Sequence, residues 1–207
     1  MTACTAGIGS PASGRTRMRL AALLTALAGL LLVRPAPPVA AQDDHEPMLV
    51  GAPRCKMCHG QSTGDQWSVW EDSAHARAWE ALATPQARAI AEERGLADAQ
   101  QAPECLRCHA TTAFLGEGCE LAPNNSYALS EGVGCEACHG PGSKYMVMSV
   151  MRNRARAIEN GLWLNGGAEH CQKCHNEQSP TFEGFDHAEF WARIAHPIPD
   201  GRDPGGE

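Results

Sequence analysis

Four times in this chain two cysteines stand three positions apart with a histidine directly after the second: Cys55-Lys56-Met57-Cys58-His59, Cys105-Leu106-Arg107-Cys108-His109, Cys135-Glu136-Ala137-Cys138-His139 and Cys171-Gln172-Lys173-Cys174-His175. Two thiols at this spacing can each add to a vinyl group of one porphyrin as thioethers, and the adjacent histidine then presents an imidazole nitrogen to the iron. The competing chemistries do not need the pattern. A zinc site requires two thiol pairs to converge on one metal and no histidine after every second cysteine. A redox Cys-x-x-Cys follows a strand in a βαβ unit and would not recur four times in so short a chain. The motifs therefore read as four covalent haem attachments, with His59, His109, His139 and His175 as proximal iron ligands. Thioether formation consumes both thiols of each pair, so these cysteines are neither redox-active nor available for disulfides.

Four porphyrins explain a composition that is otherwise hard to fold. Only 5% of the 207 residues are aromatic, and the macrocycles supply the large rigid apolar surfaces that side chains would otherwise provide. The expected fold is mainly α with long irregular segments, a compact multihaem cytochrome c fold wrapped around four covalently attached haems. Intervals of 50, 30 and 36 residues between the first cysteines are too unequal for a tandem repeat, so one domain is expected and not four modules. Apoprotein should be largely unfolded, because ligation and thioether formation contribute the missing stability. A content of 43% apolar and 20% charged residues excludes wholesale disorder, and no apolar run reaches the 18 residues needed to span a bilayer.

The amino terminus reads as an export signal. Arg15, Arg17 and Arg19 precede a 14-residue apolar run, Leu20 to Val33, and small residues Val39-Ala40-Ala41 follow where a peptidase would cut. Residues 1–41 are thus expected to be a signal peptide, with Met18 as an alternative start, and residues 42–207 the single tetrahaem domain. No twin-arginine pair precedes the run, so the chain should leave unfolded and receive its haems outside the cytoplasm, in the periplasm. Cleavage would leave 13 basic residues against 24 acidic ones, a formal charge of −11. Nucleic acid is disfavoured as a partner, and a basic patch on a redox protein is the natural complement. Cys4 would leave with the signal, making Cys119 the one thiol outside the motifs.

Five histidines remain for the far faces of the irons: His45, His75, His170, His187 and His196. Residues 75, 78, 79 and 82 fall on one helical face, which puts the His75 imidazole on an apolar stripe with Trp79 and Leu82. In a protein whose core is haem, iron ligation is favoured there over a hydrogen-bonded core histidine. Thr84-Pro85 should cap a second helix that Gly95 ends. Asp186 and Glu189 make a capping-box-like start to a late helix with Phe190, Trp191 and Ile194 on its apolar face, stopped at Pro197. His196 sits at that stop, placed to return to an early haem. His187 is expected to be exposed, His170 is badly placed for its own haem, and His45 lies near a mature terminus.

Three segments, Trp70 to Ala78, Gly132 to Gly142 and Phe185 to His196, resemble in order and spacing the tetrahaem cytochrome c-554 family. The resemblance implies an electron acceptor of hydroxylamine oxidoreductase in ammonia oxidation, with haems stacked in close pairs. It further implies that three haems have two histidine ligands and that the second attached haem has an open face. Carried over by residue, it makes His75 the distal ligand of the haem held by His139, and His196 that of the haem held by His59. The haem held by His109 would stay open. The family takes a fourth distal histidine about ten residues after the third motif, where this chain has none. That stretch, Tyr145-Met146-Val147-Met148-Ser149-Val150-Met151, instead suggests Met148, Met146 or Met151 as ligand to the haem held by His175, or as packing against a macrocycle. Cys119, some ten residues after the second motif, reads as a buried inert cysteine or as a reactive or intermolecularly crosslinked thiol.

Two functions follow from these readings. The first is electron transfer between redox partner proteins, a hydroxylamine-oxidoreductase-like donor and a membrane-bound or soluble cytochrome acceptor. The alternative is an enzyme that binds and converts nitric oxide or hydroxylamine at the open haem.

Overall fold

Prolines and cap residues divide the chain into short helices. The computed structural model describes residues 45–116, 118–164 and 166–196, and in these no helix exceeds nine residues. In chain order they are α1 (Ala52–Lys56), α2 (Gln66–Glu71), α3 (Ala78–Ala81), α4 (Pro85–Glu93), α5 (Pro103–His109), α6 (Thr111–Leu115), α7 (Cys135–His139), α8 (Met148–Met151), α9 (Arg154–Glu159), α10 (Ala168–Cys171) and α11 (His187–Ile194). The sole β pairing among the described residues is a parallel bridge between Leu49 and Leu121. The chain is helical there, as expected. The proposed signal segment and Pro197 lie outside the described residues.

Local signals set several helix ends. Thr84 accepts a hydrogen bond from the Ala87 amide at 3.2 Å, with Pro85 as the first residue of α4, and Gly95 turns the chain with φ +71°. Asp186 caps α11 by accepting from the Glu189 amide at 3.0 Å. The expected helix through His75 begins late. Residues 73–77 form turns and α3 starts only at Ala78, because the Val133 amide donates to the His75 carbonyl at 2.9 Å. That carbonyl also accepts from Ala78, in i→i+3 fashion, which holds the segment in turns ahead of α3. Gly132 makes the approach possible: its φ is +65°, and a Cβ there would lie 2.5 Å from the His75 oxygen.

The packing is thin for a chain of this size. Large fully buried side chains are Leu49, Glu136, Thr111 and Pro141, of which only Leu49 is a branched aliphatic. A second small cluster joins Leu82, Ala91 and Ala99 to Leu96, Cys105 and Leu106 beside the second motif. Trp191, on the expected inner face of α11, is 37% exposed. What joins the first and third motifs is polar. Glu136, 1% exposed, accepts from Val50 N (2.9 and 3.2 Å to its two oxygens), Gly51 N (2.8 Å) and Gly142 N (2.7 Å). One carboxylate thereby ties the segment entering α1 to α7 and to the loop after it.

Candidate functional site

The four motifs sit on short helices or at their ends. α5 and α7 contain the second and third motifs whole, whereas α1 ends one residue past Cys55 and α10 ends at Cys171. Three positions along a helical turn return a side chain to nearly the same face, so both thiols of a motif point one way. The motifs also meet one another. Cys55 and Cys135 are hydrogen-bonded through their side chains, as are Cys108 and Cys174, and Cys138 lies within electrostatic reach of Cys171. These contacts connect the motifs in the order first, third, fourth, second. No group of three or more His, Cys, Asp or Glu side chains able to hold a metal ion by themselves occurs among the described residues, so the thiol pairs do not converge as a zinc site requires.

Two of the motif histidines are held by backbone carbonyls. His109 donates from Nδ1 to the Ala78 carbonyl at 2.6 Å, and His139 donates from Nδ1 to the Trp163 carbonyl at 3.2 Å. A carbonyl only accepts, so Nδ1 carries a proton in both and Nε2 is the nitrogen left to face a metal, the arrangement common in metal-bound histidine. Burial pushes the His139 imidazole down to about 4, helped by His196, and it is therefore neutral, as a ligand must be. Burial likewise lowers His75, His175 and His196.

Two of the five remaining histidines are brought against motif histidines. His75 stands with its ring centre 6.0 Å from that of His175, and His196 stands 5.9 Å from His139. These are not the partners implied by the family resemblance, which set His75 against His139 and His196 against His59. His196 does lie within electrostatic reach of His59, but the ring it contacts belongs to His139. His175 is further enclosed by Phe185, stacked at 5.1 Å, and Phe190 at 5.6 Å.

Met148 is 57% exposed, and the aromatic neighbours of the His175 ring are His75, Phe185 and Phe190. The contacts of Val133 and Gly132 with residues 75–78 fix the turn that carries His75, whose ring lies beside that of His175. Met146 and Met151 are half-buried. His170 donates from Nε2 to the Ala137 carbonyl at 3.0 Å and His187 from Nε2 to Gly166 at 2.7 Å, so each uses the nitrogen that a ligand would offer. His187 is half-buried and stacks on Trp191, where an exposed position was expected. Cys119 is disulfide-bonded, which corrects the expectation of an unpaired thiol. Glu136, the clamp between two motifs, was not singled out in the sequence, because an acid between two motif cysteines carries no sign of its burial.

Residues 54–140 match the family model described as cytochrome c554 and c-prime. A 99-residue stretch is 31% identical to cytochrome c-554 of Nitrosomonas europaea, covering 46% of this chain and 39% of that protein, so the chain spans well under half the length of this relative. No solved structure matches. No helix among the described residues is long and apolar enough to cross a membrane. The first three Cys-x-x-Cys-His motifs fall within the matched residues, and over this segment the chain is similar to the cytochrome c554 family.

Proposed function

We propose that this protein is an exported tetrahaem c-type cytochrome that passes electrons between redox proteins in the oxidation of nitrogen compounds. The observation that carries it is the order in which the four motifs neighbour one another: attachment thiols of the first and third lie side by side, as do those of the fourth and second, and those of the third and fourth are within electrostatic reach. Haems held at those thiols supply one-electron chemistry along a continuous path. Cys55 and Cys58, Cys105 and Cys108, Cys135 and Cys138, and Cys171 and Cys174 are the attachment pairs, with His59, His109, His139 and His175 on the proximal faces. His75 completes the His175 haem and His196 the His139 haem. A metal with an imidazole nitrogen on each side at about 2 Å sets the ring centres about 6 Å apart, which is the separation both pairs have.

The thin protein core supports the same reading, since apolar faces such as that of α11 gain a partner in a porphyrin. Residues 1–41 as a cleaved signal, followed by one domain from residue 42, fit haem attachment in the periplasm. An acidic surface would dock a basic face of a redox partner transiently.

Intact mass tests the cofactor count: four haem increments are expected, and fewer would defeat the tetrahaem reading. A coulometric titration should then take up four electrons. A second function is favoured at one position. The His109 ring, like that of His59, pairs with no other imidazole among the described residues, and the family resemblance leaves the haem held by His109 open, suited to a small nitrogen ligand such as nitric oxide. A high-spin signal altered by nitric oxide would support that function, and an unchanged, wholly low-spin spectrum would remove it.

A further inference from the structure

Three buried side-chain polar atoms have no hydrogen-bond partner among the described residues: Arg54 Nε, Trp67 Nε1 and Glu131 Oε1. All three lie around the first motif. Arg54 precedes Cys55, Trp67 donates its amide to the His59 carbonyl at 2.9 Å, and Glu131 Oε2 accepts from Ala52 N at the start of α1 at 3.1 Å. An orphaned donor needs an acceptor, but an orphaned carboxylate oxygen can be satisfied by a proton. Glu131 has one oxygen anchored and the other buried without a partner, in a residue that is itself half-buried.

Its surroundings place that proton beside two haem attachments. The charge of Glu131 acts on the Cys135 side chain, and Cys135 is hydrogen-bonded to Cys55. The other titratable groups facing it are Glu136 on α7 and Tyr127 on the loop ahead of it. Glu136 accepts from three backbone amides at 2.7–3.2 Å, whereas Glu131 accepts from Ala52 at 3.1 Å with a further contribution from the Ala128 backbone and keeps Oε1 unpartnered, so of two neighbouring carboxylates Glu131 is the one that accommodates a proton. Burial lifts its carboxyl to about 7, with Glu136 raising it further and the Ala52 and Ala128 backbone opposing, so both protonation states are accessible near neutral pH.

We propose that Glu131 takes up a proton when the haem attached at Cys135 is reduced and releases it on oxidation. Ferric iron gains one electron from the redox partner, the Glu131 carboxylate gains one proton from solvent, and the net charge of the pocket is unchanged. The residue deepens the electron-transfer reading and rests on it.

The test is a spectroscopically resolved redox titration of the holoprotein between about pH 5 and about pH 9, for wild type and Glu131→Gln, after intact mass has counted the haems of each. In wild type one haem potential should fall with a limiting slope of a tenfold change in its one-electron equilibrium per pH unit near neutrality, about 59 mV. In Glu131→Gln that slope should be lost, while the amide oxygen still accepts from Ala52. Haem propionates titrate equally in both proteins, so the difference isolates Glu131. A four-haem wild type with a flat response, or a variant with an unchanged slope, overturns the proton site alone. A mature chain with no haem at Cys135 overturns the haem reading and this inference with it. Should Glu131→Gln not accumulate, Glu131→Asp must keep a pH-dependent potential with a displaced midpoint, and an identical profile overturns the proposal.

Discussion

Replacing Glu136 by alanine removes the acceptor of three backbone amides at once. Val50, Gly51 and Gly142 donate to it at 2.7–3.2 Å, and the side chain is 1% exposed, so water cannot serve these amides without opening the joint. Each orphaned buried donor costs about 1–3 kcal/mol, and partial relaxation around the truncated side chain should hold the sum to about 3–5 kcal/mol. For a domain of this size that lowers the melting temperature by roughly 10–15 °C. Glu136→Gln keeps one acceptor oxygen but turns an NH2 group toward backbone amides, and about 1–3 kcal/mol is expected. Guanidinium denaturation of the holoprotein, followed by far-ultraviolet circular dichroism, measures both. Haem content by mass should not change, since Glu136 belongs to neither the thiols nor the histidine of its motif. If Glu136→Ala cost less than about 1 kcal/mol, the carboxylate would not be the clamp between the first and third motifs.

Other substitutions probe different links. His75→Ala should convert one of the proposed low-spin haems to high spin, read by electron paramagnetic resonance, and His196→Ala should convert a different one; a shared signal would refute the two separate pairs. Gly132→Ala should cost about 2–3 kcal/mol, combining a left-handed φ of +65° with a Cβ 2.5 Å from the His75 oxygen, and should disturb the His175 haem spectrum, although neither motif is touched. Thr84→Ala should cost about 1 kcal/mol by removing the cap of α4, with the haem spectra unchanged.

What the sequence discloses divides by the reach of the interaction. The cap at Thr84, the cap at Asp186 and the helical stripe of 78, 79 and 82 depend on residues within one or two turns, and each is present in the structure. The start of α3 was misjudged because the His75 carbonyl is taken by Val133, 58 positions away, and no local pattern announces that contact.

The histidine partners are non-local for the same reason. His75 and His175 are 100 residues apart and meet only once Gly132 and Val133 have brought the turn at 75–78 against the entrance to α7. Spacing within a motif places its own histidine, whereas a partner histidine depends on how the chain closes, and the ring contacts of His75 and His196 differ from the pairing that the family resemblance implies. The two acids show the same limit in a harsher form. Glu131 and Glu136 read as ordinary polar residues of a helix start, yet both end in the joint between two motifs, one satisfied by three amides and the other left with a free lone pair. That asymmetry is set by Val50, Gly51 and Ala52 arriving from about 80 residues upstream, so the same segment that delivers Cys55 also decides which carboxyl is left to bind a proton.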